Sequence, residues 1–381
     1  MRQSLFRLAA GFVLLGMMAG CSKFRPKPPV VYVYVSAKQT FLRDRVAAVS
    51  NRTATVTNGD RLQVMDHGRR FVKVQTDKGV QGWIDERGVI TEELYDGFDK
   101  LKQQYKDAPV VASGVTRDES YLHLKPGRDA SDRFYLLPEG EKLKLLARAT
   151  LLKPLPPGTK VVKPVGKPGA PVEPPAPPPM EDFWLVRDSH GNAGWMLSRL
   201  MDVDAPDSLT RYSEGQRMIG AYVLTTVNDP DAEQENKNIP IYVTVLGPYK
   251  AGLPYDFDQV RVFTWNVKKH RYETAFRDRN IEGYLPVTVT MAKDPYGKSP
   301  LAGTAVPTFS YRVLAGEAPA VVPDPVTGAI VPAKTVTKTY RLETNVVRRL
   351  LQPGMPAPLE AHPEPVSEKK KAAAARGKKR R

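Results

Sequence analysis

Cysteine is nearly absent from this sequence, because Cys21 is the only one among 381 residues. One thiol excludes a disulfide within the chain, and it excludes zinc and iron–sulfur sites built from several cysteines. The five histidines are scattered, so the sequence shows no histidine cluster for a metal ion either. We therefore predict no cofactor and no metal site.

The residues before Cys21 predict a compartment. The basic residues Arg2 and Arg7 precede an apolar run from Leu8 to Met18, and small residues follow that run. This pattern is typical of a secretory signal peptide, and the run is too short for a transmembrane helix of about 20 residues. The alternative, a buried N-terminal helix, fits poorly with the proline-rich segment that comes next.

The segment Met18-Ala19-Gly20-Cys21 resembles a bacterial lipobox. The resemblance implies cleavage before Cys21 and a lipoprotein whose N-terminal cysteine carries diacylglycerol and a further acyl chain such as palmitate. Several acyl chains anchor a protein stably where one chain is marginal. Because Ser22 rather than an aspartate follows, the resemblance favours the periplasmic side of the outer membrane over the inner membrane.

Proline and positive charge are concentrated in a few segments. Of the 35 prolines, 19 lie in residues 22–29, 151–180 and 353–381. There they favour disordered or semi-rigid spacers that bury too little apolar surface to fold alone. Of the net charge of +16, residues 367–381 hold eight basic residues and one acidic residue. This basic tail has three interpretations: it attracts anionic lipid phosphate, binds nucleic acid, or keeps the chain soluble. A secreted lipoprotein seldom meets nucleic acid, so no nucleic-acid partner is expected.

An internal repeat organises the first half of the chain. Residues 71–83 align without a gap on residues 183–195, and residues 56–65 align on residues 137–146 at a smaller offset. The matched pairs of the first alignment are Phe71/Phe183, Val74/Val186, Gly79/Gly191, Gly82/Gly194 and Trp83/Trp195. Alternating apolar residues indicate β-strands in both copies. The second copy is therefore predicted to be the first with the proline-rich stretch 151–180 inserted between two strands.

Both copies share the order Gly-x-x-aliphatic-x-aliphatic-aliphatic, then aromatic-x-x-Val, then Gly-x-x-Gly-Trp-aliphatic. This order resembles the bacterial SH3-like domain, and residues 122–127 of the second copy resemble that family's opening strand and Gly/Pro turn. The resemblance covers about residues 30–90 and 110–202. It implies two small barrels at the cell envelope, where such domains often accompany cell-wall hydrolases.

Two further regions complete the predicted architecture. Leu94, Phe98, Leu101 and Tyr105 are spaced for one face of a helix between the copies, and Pro109 ends it. Residues 212–350 show six or seven strands by apolar alternation, which favours an antiparallel β-sandwich or partial barrel.

The predicted fold is mainly β: two SH3-like barrels joined by a short helix, then an antiparallel β-sandwich or partial-barrel domain, with disordered proline-rich and basic segments. The predicted segments are a signal peptide (1–20), a lipidated spacer (21–29), barrel 1 (30–90), a connector helix (91–109), barrel 2 (110–202, insert 151–180), a C-terminal β domain (212–350) and a basic tail (353–381).

Catalytic chemistry has little support in the sequence. The cysteine peptidases and transpeptidases that accompany SH3-like domains need a free thiol, and Cys21 is assigned to lipid. No His-Glu-x-x-His or Gly-x-Ser-x-Gly motif occurs. Asp256 and Asp258 are close in sequence, but we favour turn capping over acid/base work on a glycoside. We predict no catalytic residue and no enzyme activity.

Binding by aromatic side chains is the better hypothesis. Aromatic rings in the barrels stack on sugars or hold peptides, and packing is the alternative for each of them. The candidate ligand contacts are Tyr32, Tyr34, Tyr121, Tyr135 and Trp184. Trp83 and Trp195 follow a glycine and are expected in the barrel cores.

Together these features predict a non-enzymatic envelope lipoprotein with a binding or scaffold role. Its expected partners are the membrane, through the lipid anchor, and peptidoglycan or envelope proteins. One alternative is a structural subunit that docks a protein partner through the C-terminal β domain. Another is a cell-wall hydrolase in that same region.

Overall fold

The structure, a computed structural model, describes residues 30–47, 49–154 and 178–363. The predicted signal peptide, Cys21, the spacer up to residue 29, and most of the insert and basic tail lie outside the described residues. The predictions made on those segments stay predictions. The chain divides after Glu92 into two compact units, called unit 1 and unit 2.

The described chain is mainly β, which confirms the predicted fold class. Its strands form three antiparallel sheets of seven strands each. One sheet makes up unit 1, and the other two sheets belong to unit 2. Short 3₁₀ turns connect some strands, at Glu86–Gly88, Ala130–Asp132, Ser198–Leu200 and Arg211–Ser213.

The sheet of unit 1 turns alternate residues of its strands toward a core, most clearly in β5 and β6. Its strands are β1 (Tyr32–Val35), β2 (Gln39–Arg43), β3 (Arg52–Thr57), β4 (Arg61–His67), β5 (Phe71–Gln75), β6 (Gln81–Asp85) and β7 (Val89–Thr91). They lie in the order β3-β2-β6-β5-β4-β1-β7. Because alternate residues of a strand share one face of the sheet, the core is built from aliphatic side chains on that face. They are Val33, Val35, Leu42, Val56, Leu62, Val72, Val74 and Ile84.

The first sheet of unit 2 repeats this topology. Its strands are β8 (Ala112–Thr116), β9 (Ser120–His123), β10 (Arg133–Leu137), β11 (Lys142–Leu152), β12 (Met180–Arg187), β13 (Ala193–Leu197) and β14 (Met201–Val203). They lie in the order β10-β9-β13-β12-β11-β8-β14, which equals the first order once β8 is equated with β1. The repeat read from the sequence is therefore a repeat of fold, and we call the two sheets barrel 1 and barrel 2.

Barrel 2 differs from barrel 1 by a longer hairpin between its fourth and fifth strands. In barrel 1, β4 and β5 pair as far as His67 and Val72. In barrel 2, β11 and β12 continue past the equivalent pair up to the proline-rich insert. The equivalent pair is Arg148 and Trp184, so we call residues 149–152 and 180–182 the hairpin extension. It has no counterpart in barrel 1.

A helix precedes barrel 2 and packs on it. This helix, α1, runs over Glu92–Gln104. Of the four apolar residues predicted on one face, Phe98 is fully buried and the others are half-buried. The Phe98 ring lies 5.9 Å from the Phe134 ring and 5.5 Å from the Tyr135 ring, centroid to centroid. The predicted helix is thus confirmed, and one phenylalanine provides most of its anchoring.

The prediction that Trp83 and Trp195 occupy the barrel cores is wrong. Both tryptophans are half-buried, and their strand neighbours Ile84 and Met196 point into the core instead. Successive side chains in a strand face opposite sides, so the residue that follows a buried glycine is turned away from the core.

The glycine before each tryptophan has a packing reason. A Cβ atom on Gly82 would lie 2.7 Å from the Leu42 Cβ, and one on Gly194 would lie 2.7 Å from the Leu122 Cβ. Only a residue without a side chain fits at so close a crossing of strands. The Gly-Trp element therefore marks a close strand contact rather than a tryptophan core.

The second sheet of unit 2 is one consecutive meander that follows a short helix, α2 (Asp207–Thr210). Its strands are β15 (Arg217–Asn228), β16 (Asn238–Gly247), β17 (Phe257–Asn266), β18 (Arg271–Ala292), β19 (Val306–Leu314), β20 (Thr335–Glu343) and β21 (Val346–Arg349). They follow one another in chain order. The sheet curls so that β15 also approaches β18 and β19. Of the two predicted alternatives, this is the partial barrel, and we call it the meander sheet.

Candidate functional site

Unit 2 contains a cleft of about 500 Å³ that brings charged and aromatic side chains together. The hairpin extension and the 3₁₀ turn after β13 form one wall, and the meander sheet forms the other. The lining residues that carry charge or an aromatic ring are Arg148, Lys153, Glu181, Asp182, Trp184, Arg199, Arg217, Tyr249 and Asp256. Pockets of this size and composition are typical of ligand-binding sites.

Arg148 fixes the geometry of the cleft. Its guanidinium donates to the Asp182 carboxylate at 2.8 Å and to the Asp256 carboxylate at 3.3 Å. It also donates to the backbone carbonyls of Leu253 at 2.9 Å and Tyr255 at 2.5 Å. Burial lowers the pKa of Arg148, but the attraction of the two carboxylates outweighs it, so the pKa is raised. One buried cation therefore joins barrel 2 to the meander sheet.

The two carboxylates beside Arg148 are held by further donors. Asp182 accepts from the Thr150 hydroxyl at 2.7 Å and from the Gly252 backbone N–H at 3.2 Å. Asp256 accepts from the Leu285 backbone N–H at 2.9 Å. The acidic side of the cleft is thus neutralised and hydrogen-bonded, as a rigid wall requires.

Three other cations of the cleft have no such partner. Within the described ranges, no carboxylate lies within ion-pair distance of Lys153, Arg199 or Arg217. Arg217 donates to the Ser198 hydroxyl at 3.3 Å and to the Met201 carbonyl. Burial lowers the pKa of Arg217. Asp202 and Asp182 attract the Arg217 guanidinium only from beyond ion-pair distance. An anion in the cleft would therefore meet three cations that no carboxylate of the described residues pairs directly.

Aromatic surface lies beside these cations. Trp184 is 3% exposed and lines the cleft from barrel 2, whereas Tyr249 is 75% exposed and lines it from the meander sheet. The Tyr249 hydroxyl donates to the Glu214 carbonyl at 3.3 Å. A charged group next to an apolar ring is the combination that binds a ligand with one anionic end and one apolar or sugar face.

Glu181 adds an unusual acceptor to the same wall. One oxygen of its carboxylate accepts from Arg128. The other oxygen is buried and, within the described residues, receives no hydrogen bond. Such an oxygen is costly to leave unpaired, and a donor from a ligand or a water would stabilise it.

The other predicted ligand contacts do not meet at this cleft. In unit 1, Tyr32 is half-buried under the Arg61 guanidinium, 3.5 Å from its ring centroid, and Tyr34 is buried. In unit 2, Tyr121 lies under Arg133 at 4.5 Å, and Tyr135 packs on the helix through Phe98. These rings already have protein partners, so Trp184 alone of the five lines the cleft.

Asp256 and Asp258, for which the sequence favours turn capping over acid/base work, are held by different partners. Asp256 is bound by Arg148, whereas Asp258 accepts from the Gln216 side chain at 2.8 Å. Burial raises the pKa of Asp258. Across the part of the chain that the structure describes, no group of three metal-ligating side chains converges. No helix among the described residues is long and apolar enough to cross a membrane.

The sequence reading missed Arg148 and Arg217. Arg148 lies within a largely apolar strand sequence, and a single arginine in such a sequence is the one local sign of a buried charge. Its partners Asp182, Leu253 and Asp256 are remote in sequence, so spacing cannot reveal them.

No protein-family model and no curated protein matches the chain. Among solved structures, the chain is similar to NlpC2 from Trichomonas vaginalis at 9% identity and a TM-score of 0.14, covering 68% of this chain and 99% of that one. NlpC1 from the same organism matches at 7% identity and a TM-score of 0.15, covering 66% of this chain and 89% of that one. At these TM-scores the likeness indicates nothing about activity.

Proposed function

We propose that this protein is a non-enzymatic bacterial envelope lipoprotein that binds a carboxylate-bearing polymer of the cell wall in the cleft of unit 2. The observation that supports this is that three cations with no ion-paired carboxylate among the described residues lie beside the exposed ring of Tyr249. These cations are Lys153, Arg199 and Arg217. The wall is the anionic polymer that a periplasmic lipoprotein meets, and the lipobox-like segment before Cys21 supports that compartment.

Retention on purified sacculi tests the proposal. The protein is prepared with Cys21→Ser and ends at residue 366, so that neither lipid nor basic tail contributes. We expect salt-sensitive retention that weakens roughly tenfold when Lys153 and Arg199 are both replaced by glutamate, since each exposed charge contact contributes at most about 1 kcal/mol. The matched control is Lys78→Glu, an exposed lysine of unit 1.

Two results would contradict the wall-binding proposal. The first is no retention at moderate salt. The second is an equal loss of retention in the Lys78→Glu control, because this would mean that overall charge rather than the cleft determines binding.

The lipid anchor has its own test. A Cys21→Ser variant of the full chain should lose the acyl mass and leave the membrane fraction, because two or more acyl chains hold a lipoprotein on a bilayer. A wild-type chain that is soluble and retains residues 1–20 would overturn the compartment.

One observation favours a second candidate function, the docking of a protein partner. The loop between β19 and β20 exposes three valines, Val322, Val326 and Val331, at 77% or more of their surface. Exposed apolar side chains that share a loop are typical of interaction surfaces. Crosslinking in native membranes should recover a stoichiometric partner, and replacing the three valines by serine should abolish its recovery.

The hydrolase alternative has no supporting arrangement in the cleft, since the acidic side chains there are bound by arginines. A zymogram with purified wall material checks this, and a zone of clearing would require the proposed function to be revised.

A further inference from the structure

A lysine of the meander sheet is buried between two carboxylates. The Lys338 side chain on β20 is 4% exposed. Its Nζ lies 2.6 Å from Oδ2 of Asp278 on β18. The same Nζ lies 2.7 Å and 3.0 Å from the two oxygens of Glu360, on the segment after β21. This cluster shares no residue with the cleft and has no part in the proposed function.

Aromatic rings surround the cluster. Phe309, Tyr311 and Tyr340 are buried and stack nearly parallel, with 5.9 Å between the Tyr311 and Tyr340 centroids. The Lys338 Nζ lies 6.0 Å from the Tyr311 ring centroid. Such a shell has low polarity, and it penalises each charge that it encloses.

The lysine nevertheless keeps its charge in this surrounding. Burial lowers the pKa of Lys338, but the hydrogen bonds to Asp278 and Glu360 outweigh burial, and the pKa is raised. The resting cluster is thus an ammonium between two carboxylates. Moving one proton from the ammonium to a carboxylate gives an amine, a carboxylic acid and a carboxylate without any proton from solvent.

The contacts distinguish the two carboxylates. Asp278 touches the lysine through one oxygen, and that oxygen also accepts the Tyr311 hydroxyl at 2.5 Å. A donor at this position stabilises negative charge that develops on a carbonyl oxygen under attack. Glu360 presents both oxygens to the nitrogen, which is the arrangement of a group that takes up and returns a proton.

We propose that Lys338 and Asp278 condense into an intramolecular amide cross-link, with Glu360 as the catalytic proton carrier. The amine of Lys338 attacks Cγ of the protonated Asp278, and the C=O electron pair moves onto the oxygen held by Tyr311. Glu360 takes the proton from the nitrogen and gives it to the departing hydroxyl. The C–OH bond breaks, the C=O bond re-forms, and one water molecule leaves. No oxidant or other reactant is needed.

The product replaces a buried ion pair by a neutral amide. It also joins two strands that β19 separates in the sheet. Both effects favour the folded state, because buried charges are removed and the unfolded chain is constrained.

Peptide mapping of the full-length protein, purified from its membrane, tests the proposal. We expect a branched peptide that joins Lys338 to Asp278, with the mass of its two parts less one water molecule. Asp278→Asn should form the same amide with loss of ammonia instead of water. Lys338→Arg keeps the positive charge but supplies no amine, so only linear peptides should appear.

Glu360→Gln keeps the size of the side chain, and it should reduce the branched fraction at least tenfold. The measurement on the wild-type protein decides the proposal whether or not the variants fold. Only linear peptides in the wild-type protein would overturn the cross-link, and a branch from Lys338 to Glu360 would overturn the assigned roles. A branched fraction unchanged in Glu360→Gln would exclude Glu360 as the proton carrier.

Discussion

Replacing Arg148 by alanine should destabilise unit 2 severely. The Arg148 side chain is 6% exposed, and its removal leaves Asp182 and Asp256, 16% and 13% exposed, without their counter-charge. Breaking a buried ion pair by removing one partner costs about 3–5 kcal/mol. Two backbone carbonyls, of Leu253 and Tyr255, lose their donor as well. We therefore expect the free energy of unfolding to fall by at least about 3 kcal/mol, a large part of the 5–15 kcal/mol typical of a domain.

Urea unfolding followed by tryptophan fluorescence measures this loss. A Trp83→Phe background leaves only tryptophans of unit 2, namely Trp184, Trp195 and Trp265. The control Arg199→Ala removes an exposed arginine of the same cleft and should change the free energy of unfolding by no more than about 0.5 kcal/mol. The double variant Arg148→Ala/Asp182→Ala should regain part of the loss, because one orphaned charge is gone. A loss below about 1 kcal/mol in Arg148→Ala would refute the reasoning, since a buried pair would then behave like a surface pair.

Three further predictions concern packing and pH. Phe98→Ala should lower the free energy of unfolding by about 3–5 kcal/mol in the same urea assay, because the fully buried ring anchors α1 on barrel 2. A loss as small as that of an exposed residue would contradict this packing. Gly194→Ala should lower the free energy of unfolding by about 1–3 kcal/mol, because the new Cβ would clash with Leu122. No change in the free energy of unfolding would show that the two strands can move apart without loss. Burial raises the pKa of Asp258. At a pH between the ordinary aspartate pKa and this raised value, the folded chain holds a proton that the unfolded chain has released. The free energy of unfolding therefore falls as pH rises through this interval. Asp258→Asn should therefore be more stable than wild type at neutral pH and lose this advantage in acid below the ordinary aspartate pKa. The same advantage at every pH would show that ionisation is not the cause.

The local part of the fold could be predicted from the sequence, because its signals lie within short windows. The alternation of residues 71–83 and 183–195 predicts strands, and the spacing around Phe98 predicts α1. Neighbouring residues of a strand also face opposite sides of the sheet. Since aliphatic Ile84 is the natural core residue of β6, its neighbour Trp83 is expected on the opposite face.

The sites depend on contacts that short windows do not contain. Arg148 meets Asp256 only because the hairpin extension reaches the meander sheet. Lys338 meets Asp278 and Glu360 only because the sheet curls and the final segment returns to it. Long-range partners are set by tertiary packing, and a single sequence carries no spacing rule for them.

The hairpin extension has a consequence for how a duplicated module acquires a new role. Barrel 1 and barrel 2 share strand order and the close glycine crossing, so the extension left the inherited barrel intact. The added length lies at the end of two strands, where growth disturbs no core side chain. It carries Thr150 and Asp182, and the Asp182 carboxylate accepts from both Thr150 and Arg148, the arginine that joins barrel 2 to the meander sheet. Lengthening a single loop can thus make one copy of a tandem repeat part of a larger body with its neighbouring sheet, and loop lengthening is among the changes that folded proteins tolerate most readily.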